Sequence, residues 1–144
     1  MKKIEEIRNY LGTNIKFLVD KSEFGLIEET MIQLNEDTIF LTNTEISLNG
    51  AYSEHIKPIV RPLSKLTKEI EHNGKNICPV DELVEIAIIK YGIYRNSKEE
   101  IRGEVLNIYT ENMWSCPLFI FNKLIEWHFD VFGWIEKGLA IEKI

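Results

Sequence analysis

The spacing of apolar and polar positions divides the chain into a strand-rich first part and a helix-rich second part. Between residues 14 and 48, short runs rich in β-branched and aromatic side chains alternate with polar turn residues, as is typical of a small antiparallel meander. The segment Asn35-Glu36-Asp37 is the best hairpin turn within it. Residues 3–11 carry apolar side chains at helical spacing, which predicts a short amphipathic helix ahead of the meander.

Prolines and glycines mark the elements of the middle of the chain. Pro58 and Pro62 bracket a short apolar segment, and because proline cannot donate to a strand ladder, we expect this segment at a sheet edge or outside the sheet. Ser64 can cap a short helix that ends at Asn73-Gly74. Pro79 stands where the next helix is expected to begin, with two acids in its first turn.

Apolar side chains recur at three- and four-residue spacing after Pro117, with polar residues between them. They are Phe121, Leu124, Ile125, Phe129 and Phe132, and His128 falls on the same line. This pattern predicts a long amphipathic C-terminal helix that ends at Gly138, with His128 packed on its apolar line in a structural role. Residues 97–109 fit a helix or a strand equally well. The predicted fold is therefore α+β, a small antiparallel meander packed with several helices.

Size and charge narrow the function classes. The chain has 144 residues, of which 44% are apolar, enough for one domain over residues 1–144 with its own core. Its net charge of −6 argues against general nucleic-acid binding, which needs a surplus of bases. The charge is unevenly placed: residues 20–54 hold eight acids and one base, whereas residues 55–75 hold five bases and two acids. An acidic surface and a local basic segment are expected on the same domain.

The residue types that carry catalysis or bind metals lack suitable spacing. Cys116 and His128 would lie about 15 to 18 Å apart along the predicted helix, too far for a nucleophile and its base. Cys78 and His72 add no close metal-ligand spacing, and the paired acids Glu28-Glu29 fit a solvated face. We expect no catalytic residue, metal or cofactor, and reduced cysteines in a cytoplasmic protein. No apolar run approaches membrane-spanning length, so no membrane association is expected.

Two sets of residues are candidates for ligand binding. Three bases recur every four residues around prolines that stiffen the backbone: Lys57, Arg61 and Lys65. The planar guanidinium of Arg61 can form two hydrogen bonds to one phosphate or carboxylate. Trp127 lies off the apolar line of the predicted helix, so it either packs under the meander or serves as an exposed anchor or stacking platform. These four residues are the predicted site for a nucleotide-like anion. The alternative is that the bases only balance the acidic meander.

Two segments, KPIVRPLSKLTKEIEHNGK and FNKLIEWHFDVFGWIEKGLAI, resemble a group of uncharacterised small proteins encoded by phages and prophages of gut bacteria. The resemblance implies a phage context, in which small acidic proteins without catalytic motifs often neutralise a host component. The leading hypothesis is a non-enzymatic counter-defence protein that sequesters a host protein or a small nucleotide signal. The alternatives are a small hydrolase built from distant residues such as Arg61, His128 and Asp130, and a phage structural or packaging component that forms a homo-oligomer.

Overall fold

A computed structural model describes residues 2–21, 25–47, 56–89, 102–103 and 117–143. The chain forms two compact units, one made of residues 1–62 and 125–144 and the other of residues 63–124. The single domain expected from chain length stays a prediction. The helices are α1 (Lys2–Arg8), α2 (Pro79–Ile89) and α3 (Leu118–Glu126), and the strands are β1 (Lys16–Lys21), β2 (Gly25–Leu34), β3 (Thr38–Leu41), β4 (Glu45–Ser47), β5 (Ile56–Val60), β6 (Ile70–His72), β7 (Lys75–Ile77) and β8 (Ile141–Glu142).

The first unit is built on a six-stranded mixed sheet in the order β4-β3-β2-β1-β5-β8. Strands β1 to β4 form consecutive antiparallel pairs, β5 runs antiparallel to β1, and β8 runs parallel to β5. Alternate side chains such as Phe17 and Val19 are buried, as the two-residue period of a strand with one buried face requires. The predicted α+β class and its antiparallel meander are confirmed.

The hairpin between β2 and β3 turns at Asn35–Asp37, as the sequence predicts, and the backbone N–H of Asn35 donates to the carbonyl of Thr38 over 2.9 Å. The pairing register shifts between Met31 and Gln33, which marks a β-bulge with one extra residue in β2. Ile32 stands at this irregularity and is 61% exposed. A large apolar side chain is therefore exposed beside the bulge.

Strand β5 corrects the expectation that the Pro58 segment lies at an edge or outside the sheet. It runs between β1 and β8. Pro58 is the partner of Phe17 on β1, whereas pairing with β8 begins only at Ile59. The missing N–H of the proline thus falls before the ladder with β8 starts, which is how an inner strand accommodates it.

In the second unit, the helix predicted from Ser64 to Asn73-Gly74 is wrong. A 3-10 helix covers only Leu63–Thr67, and β6 and β7 follow as a hairpin. Asn73 and Gly74 have φ values of 51° and 78°, the pair of positive angles that a two-residue type I′ turn needs and that Asn-Gly favours. Helix α2 begins at Pro79 as predicted. The ambiguous residues 97–109 lie outside the described residues except for 102–103.

The long C-terminal helix is also a wrong prediction, because α3 ends at Glu126. His128 has φ 62°, a left-handed conformation that commonly ends a helix and that glycine or asparagine usually adopts. The carboxylate of Asp130 then accepts the backbone N–H groups of Trp134 and Ile135 over 2.8 and 2.9 Å. A turn held by side-chain hydrogen bonds, and not a continued helix, therefore places Phe129 in the core.

Candidate functional site

Arg61, the strongest candidate from the sequence, joins the end of β5 to the turn after α3. Its Nη1 donates to the carbonyl of Trp127 over 2.5 Å. On the backbone, its N–H donates to the carbonyl of His128 over 2.7 Å, and its carbonyl accepts from the N–H of Asp130 over 2.8 Å. Arg61 is only 3% exposed, so its guanidinium is part of the interior of the first unit. We call Arg61, Trp127, His128, Phe129 and Asp130 the Arg61 cluster.

The cluster is tied to the first residues of the chain by two further hydrogen bonds. Nε2 of His128 lies 2.7 Å from the carbonyl of Thr13, and because a carbonyl can only accept, this nitrogen carries the proton. The hydroxyl of Tyr10 donates to the carbonyl of Phe129 over 2.5 Å. Burial, reinforced by the nearby charge of Asp130, raises the pKa of Tyr10 far above its ordinary value. The tyrosine therefore stays a neutral donor.

Aromatic rings pack beside the hydrogen bond between Tyr10 and Phe129. The rings of Tyr10 and Trp134 have centroids 5.4 Å apart, and Phe132 stacks on Trp134 at the same separation. Nε1 of Trp134 donates to a carboxylate oxygen of Glu6 over 2.7 Å. These aromatic residues thus anchor α1 to the turn, which is the packing role that buried tryptophan and tyrosine fill when their polar atoms find partners.

The contacts of the cluster bear on the hydrolase alternative. A site built from Arg61, His128 and Asp130 would need the three side chains to meet at a common point about 3 Å away. Instead, each of the three makes a described contact with a different part of the backbone. Arginine, imidazole and carboxylate here hold the turn in place, so the geometry supports a structural role for all three.

The other predicted ligand residues lie in different surroundings. Trp127 is buried, and its carbonyl accepts a hydrogen bond from Arg61. Lys57 is half-buried on β5, opposite Leu18. Lys65 is half-buried in the 3-10 helix of the second unit. The structure therefore brings Arg61 and Trp127 together, and anion binding by these four residues stays a prediction.

Glu29 is a buried charge that the sequence did not reveal, since a Glu-Glu pair fits a solvated face. It is 2% exposed. Its two oxygens accept from the N–H of Asn43 over 2.6 Å and the hydroxyl of Thr44 over 2.7 Å, and Lys21 lies 3.2 Å away. Burial alone would raise the pKa of Glu29, but the hydrogen bonds from Thr44, Asn43 and Lys21 together lower it. Glu29 fastens the β3–β4 turn to β2.

A surface groove of about 640 Å³ lies where the end of α1 meets the β2–β3 hairpin, and we call it the hairpin groove. Leu11 and Leu34 supply its apolar lining, and Arg8, Asn35, Glu36 and Asp37 supply its polar lining. Leu11 is 43% exposed. Sequence patterns placed the hairpin turn correctly, but they gave no indication that the two leucines would face the same groove.

No set of three or more metal-ligating side chains is present among the residues that the structure describes. Cys78 is half-buried, and burial raises the pKa of its thiol, whereas Cys116 lies outside the described ranges. Within those ranges, no helix is long and apolar enough to cross a membrane.

Comparisons with known proteins add no assignment. No protein-family model matches the chain, and neither a curated protein nor a solved structure matches it.

Proposed function

We propose that this chain is a non-enzymatic binding protein that sequesters a protein partner. The observation that carries the proposal is the exposure of large apolar side chains on the first unit. Leu26 is 64% exposed and Ile32 is 61% exposed, both on β2, and Leu11 is exposed beside the hairpin groove. Exposed apolar surface with a polar rim marks protein interaction sites.

The charge around these residues indicates the kind of partner. Exposed acids lie on the strands and turns of the same sheet: Asp20 on β1, Glu28 on β2, Glu36 and Asp37 in the β2–β3 turn, and Glu45 on β4. An interface of this composition favours a partner with a basic rim, because complementary charge speeds the encounter and disfavours wrong partners. The proposed partner is therefore a protein with a basic, partly apolar surface.

The biological setting is part of the proposal and rests on the resemblance to phage and prophage proteins. In that setting, the partner is a host component, and the chain acts in counter-defence. A protein partner is favoured over a small nucleotide signal because Arg61, the best candidate for gripping a phosphate, is buried and bonded to the Trp127 carbonyl. The exposed leucine and isoleucine side chains offer apolar surface that a protein partner can bury.

Quantitative affinity capture tests the proposal. The tagged chain and a triple variant, Leu11→Ser with Leu26→Ser and Ile32→Ser, would be expressed in a gut bacterium, and captured proteins would be compared by mass spectrometry. We expect one basic host protein to be enriched with the parent and lost with the variant. Leu118→Ser is the control, since Leu118 is 72% exposed, more than any of the three, but lies in the second unit. Equal capture by parent and triple variant, or no enriched protein, would contradict the proposal.

A further inference from the structure

Resting on the proposed function, the hairpin groove offers a more specific inference. We propose that it binds an extended segment of the partner protein in which two apolar residues stand between a basic and an acidic residue. The apolar part of the segment lies against Leu11 and Leu34, the basic residue faces Glu36 and Asp37, and the acidic residue faces Arg8. The groove is lined from two elements, α1 with its following turn and the β2–β3 hairpin.

The apolar lining sets the size of the anchor. A groove of about 640 Å³ has room for a few side chains of a bound segment and lies within the range of about 300 to 1,000 Å³ common for ligand sites. Leu34 is half-buried and Leu11 is exposed, so an added leucine-sized side chain would remove apolar surface of both from water. This burial supplies the main gain in free energy.

The charges of the groove determine which charged residues the bound segment carries. Arg8 is basic, and Glu36 and Asp37 are acidic. Among contacts between described residues, none pairs any of these three with an opposite charge; Asp37 accepts only from the neutral hydroxyl of Thr38 over 3.0 Å. Their charges are therefore available to a ligand that carries both signs, and such complementarity selects one orientation of the segment.

The backbone around the groove is ordered before any ligand arrives. Asn35 closes the hairpin through its N–H bond to the Thr38 carbonyl, and Oδ1 of Asn35 accepts from Nε2 of Gln33 over 3.3 Å. At the other wall, the N–H of Leu11 donates to the carbonyl of Arg8 over 3.2 Å. A surface already held in place loses less entropy on binding, which favours affinity.

Short synthetic peptides test the inference. The probe is a fluorescein-labelled peptide with Lys-Leu-Leu-Glu at its centre and Gly-Ser flanks, and the comparison peptides carry Lys-Ser-Ser-Glu or Glu-Leu-Leu-Glu. We expect fluorescence polarisation to show binding of the probe and at least about tenfold weaker binding of both comparison peptides, the effect of losing an anchor residue. Amide NMR shifts on titration should centre on Arg8, Leu11 and Leu34–Asp37. Shifts centred elsewhere, or no binding of the probe at about 1 mM, would overturn the inference.

Variants separate this inference from the proposed function. Leu11→Ser and Glu36→Arg should each weaken binding of the probe at least about tenfold, whereas Leu118→Ser and Glu136→Arg, exposed residues outside the groove lining, should leave its binding unchanged. If capture of the host protein survives Leu11→Ser but is lost with Leu26→Ser, the groove is not the docking site while the proposed function stands. If no host protein is captured by the parent, the proposed function fails as well.

Discussion

The Arg61 cluster and the hairpin groove contain the same kinds of residues but use them in opposite ways. Both set arginine and carboxylate side chains beside apolar ones. In the cluster, Arg61 and Asp130 are buried and bonded to backbone groups, whereas Arg8 and Glu36 are exposed in the groove. The contrast teaches that a charged residue becomes a candidate for binding only when the fold leaves it at the surface, which residue type alone does not reveal.

The largest expected effect is the loss of the aromatic centre of the cluster. Phe129 has no exposed surface, so Phe129→Ala should lower the free energy of unfolding by about 3 to 5 kcal/mol, the usual cost of deleting a buried phenylalanine side chain. Urea unfolding followed by circular dichroism measures this. The exposed Leu26→Ala control should stay within about 0.5 kcal/mol of the parent. Equal stability of parent and Phe129→Ala would show that the turn after α3 is not part of the core.

A smaller effect is expected from the carboxylate that holds the turn. Asp130→Ala removes two hydrogen bonds to the N–H groups of Trp134 and Ile135 and should lower the free energy of unfolding by about 1.5 to 3 kcal/mol, as loss of charged hydrogen bonds does. The same urea titration applies. Glu45→Ala, which removes an exposed carboxylate from β4, is the control, and an Asp130→Ala curve that overlays the control would contradict the structural role.

Glu29 should make the free energy of unfolding depend on pH. Its hydrogen bonds lower its pKa in the folded chain below the value of about 4.3 expected when unfolded. The stability that it contributes is therefore complete above about pH 4.3 and is lost as the pH falls through the folded pKa. Glu29→Gln should cost about 1 to 3 kcal/mol at neutral pH, and the difference from the parent should shrink in acid. Thermal melts across the pH range check this, and the exposed neighbour Glu28→Gln should show neither effect.

The smallest effect on stability is expected in the groove. Glu36 is exposed in the hairpin turn, so Glu36→Arg should change the free energy of unfolding by less than about 0.5 kcal/mol while weakening the Lys-Leu-Leu-Glu peptide. Urea unfolding of the variant would be measured beside its peptide titration. A loss of stability similar to that of Asp130→Ala would remove the distinction between the two regions.

Local patterns predicted the parts of the fold that local interactions decide. The meander, the Asn35–Asp37 turn and the start of α2 at Pro79 follow from β-branched runs, turn residues and proline geometry. Asn73-Gly74 is a local feature that fits a helix end as well as a hairpin turn, and its two positive φ values form the hairpin turn.

Contacts between residues distant in sequence determine the parts of the fold that local patterns did not predict. The helical spacing after Pro117 suggested a helix through Phe132. Instead, the backbone of His128 has a left-handed conformation, and its Nε2 contacts the carbonyl of Thr13, which is 115 positions away. Arg61 meets the carbonyl of Trp127 across 66 positions. A pattern of nearby residues cannot show such partners, and it therefore could not show that Arg61 is buried or that Leu11 and Leu34 line one groove.

The free energy of unfolding of Arg61→Met tests the central claim most directly, because methionine retains much of the apolar stem and removes the guanidinium. If Arg61 holds the turn through the Trp127 carbonyl, the variant should lose about 2 to 4 kcal/mol, since a buried acceptor is left without its charged donor. Lys57→Met, at a half-buried position on β5, should lose less than about 1 kcal/mol. An Arg61→Met variant as stable as the parent would contradict the account and favour Arg61 as a ligand residue.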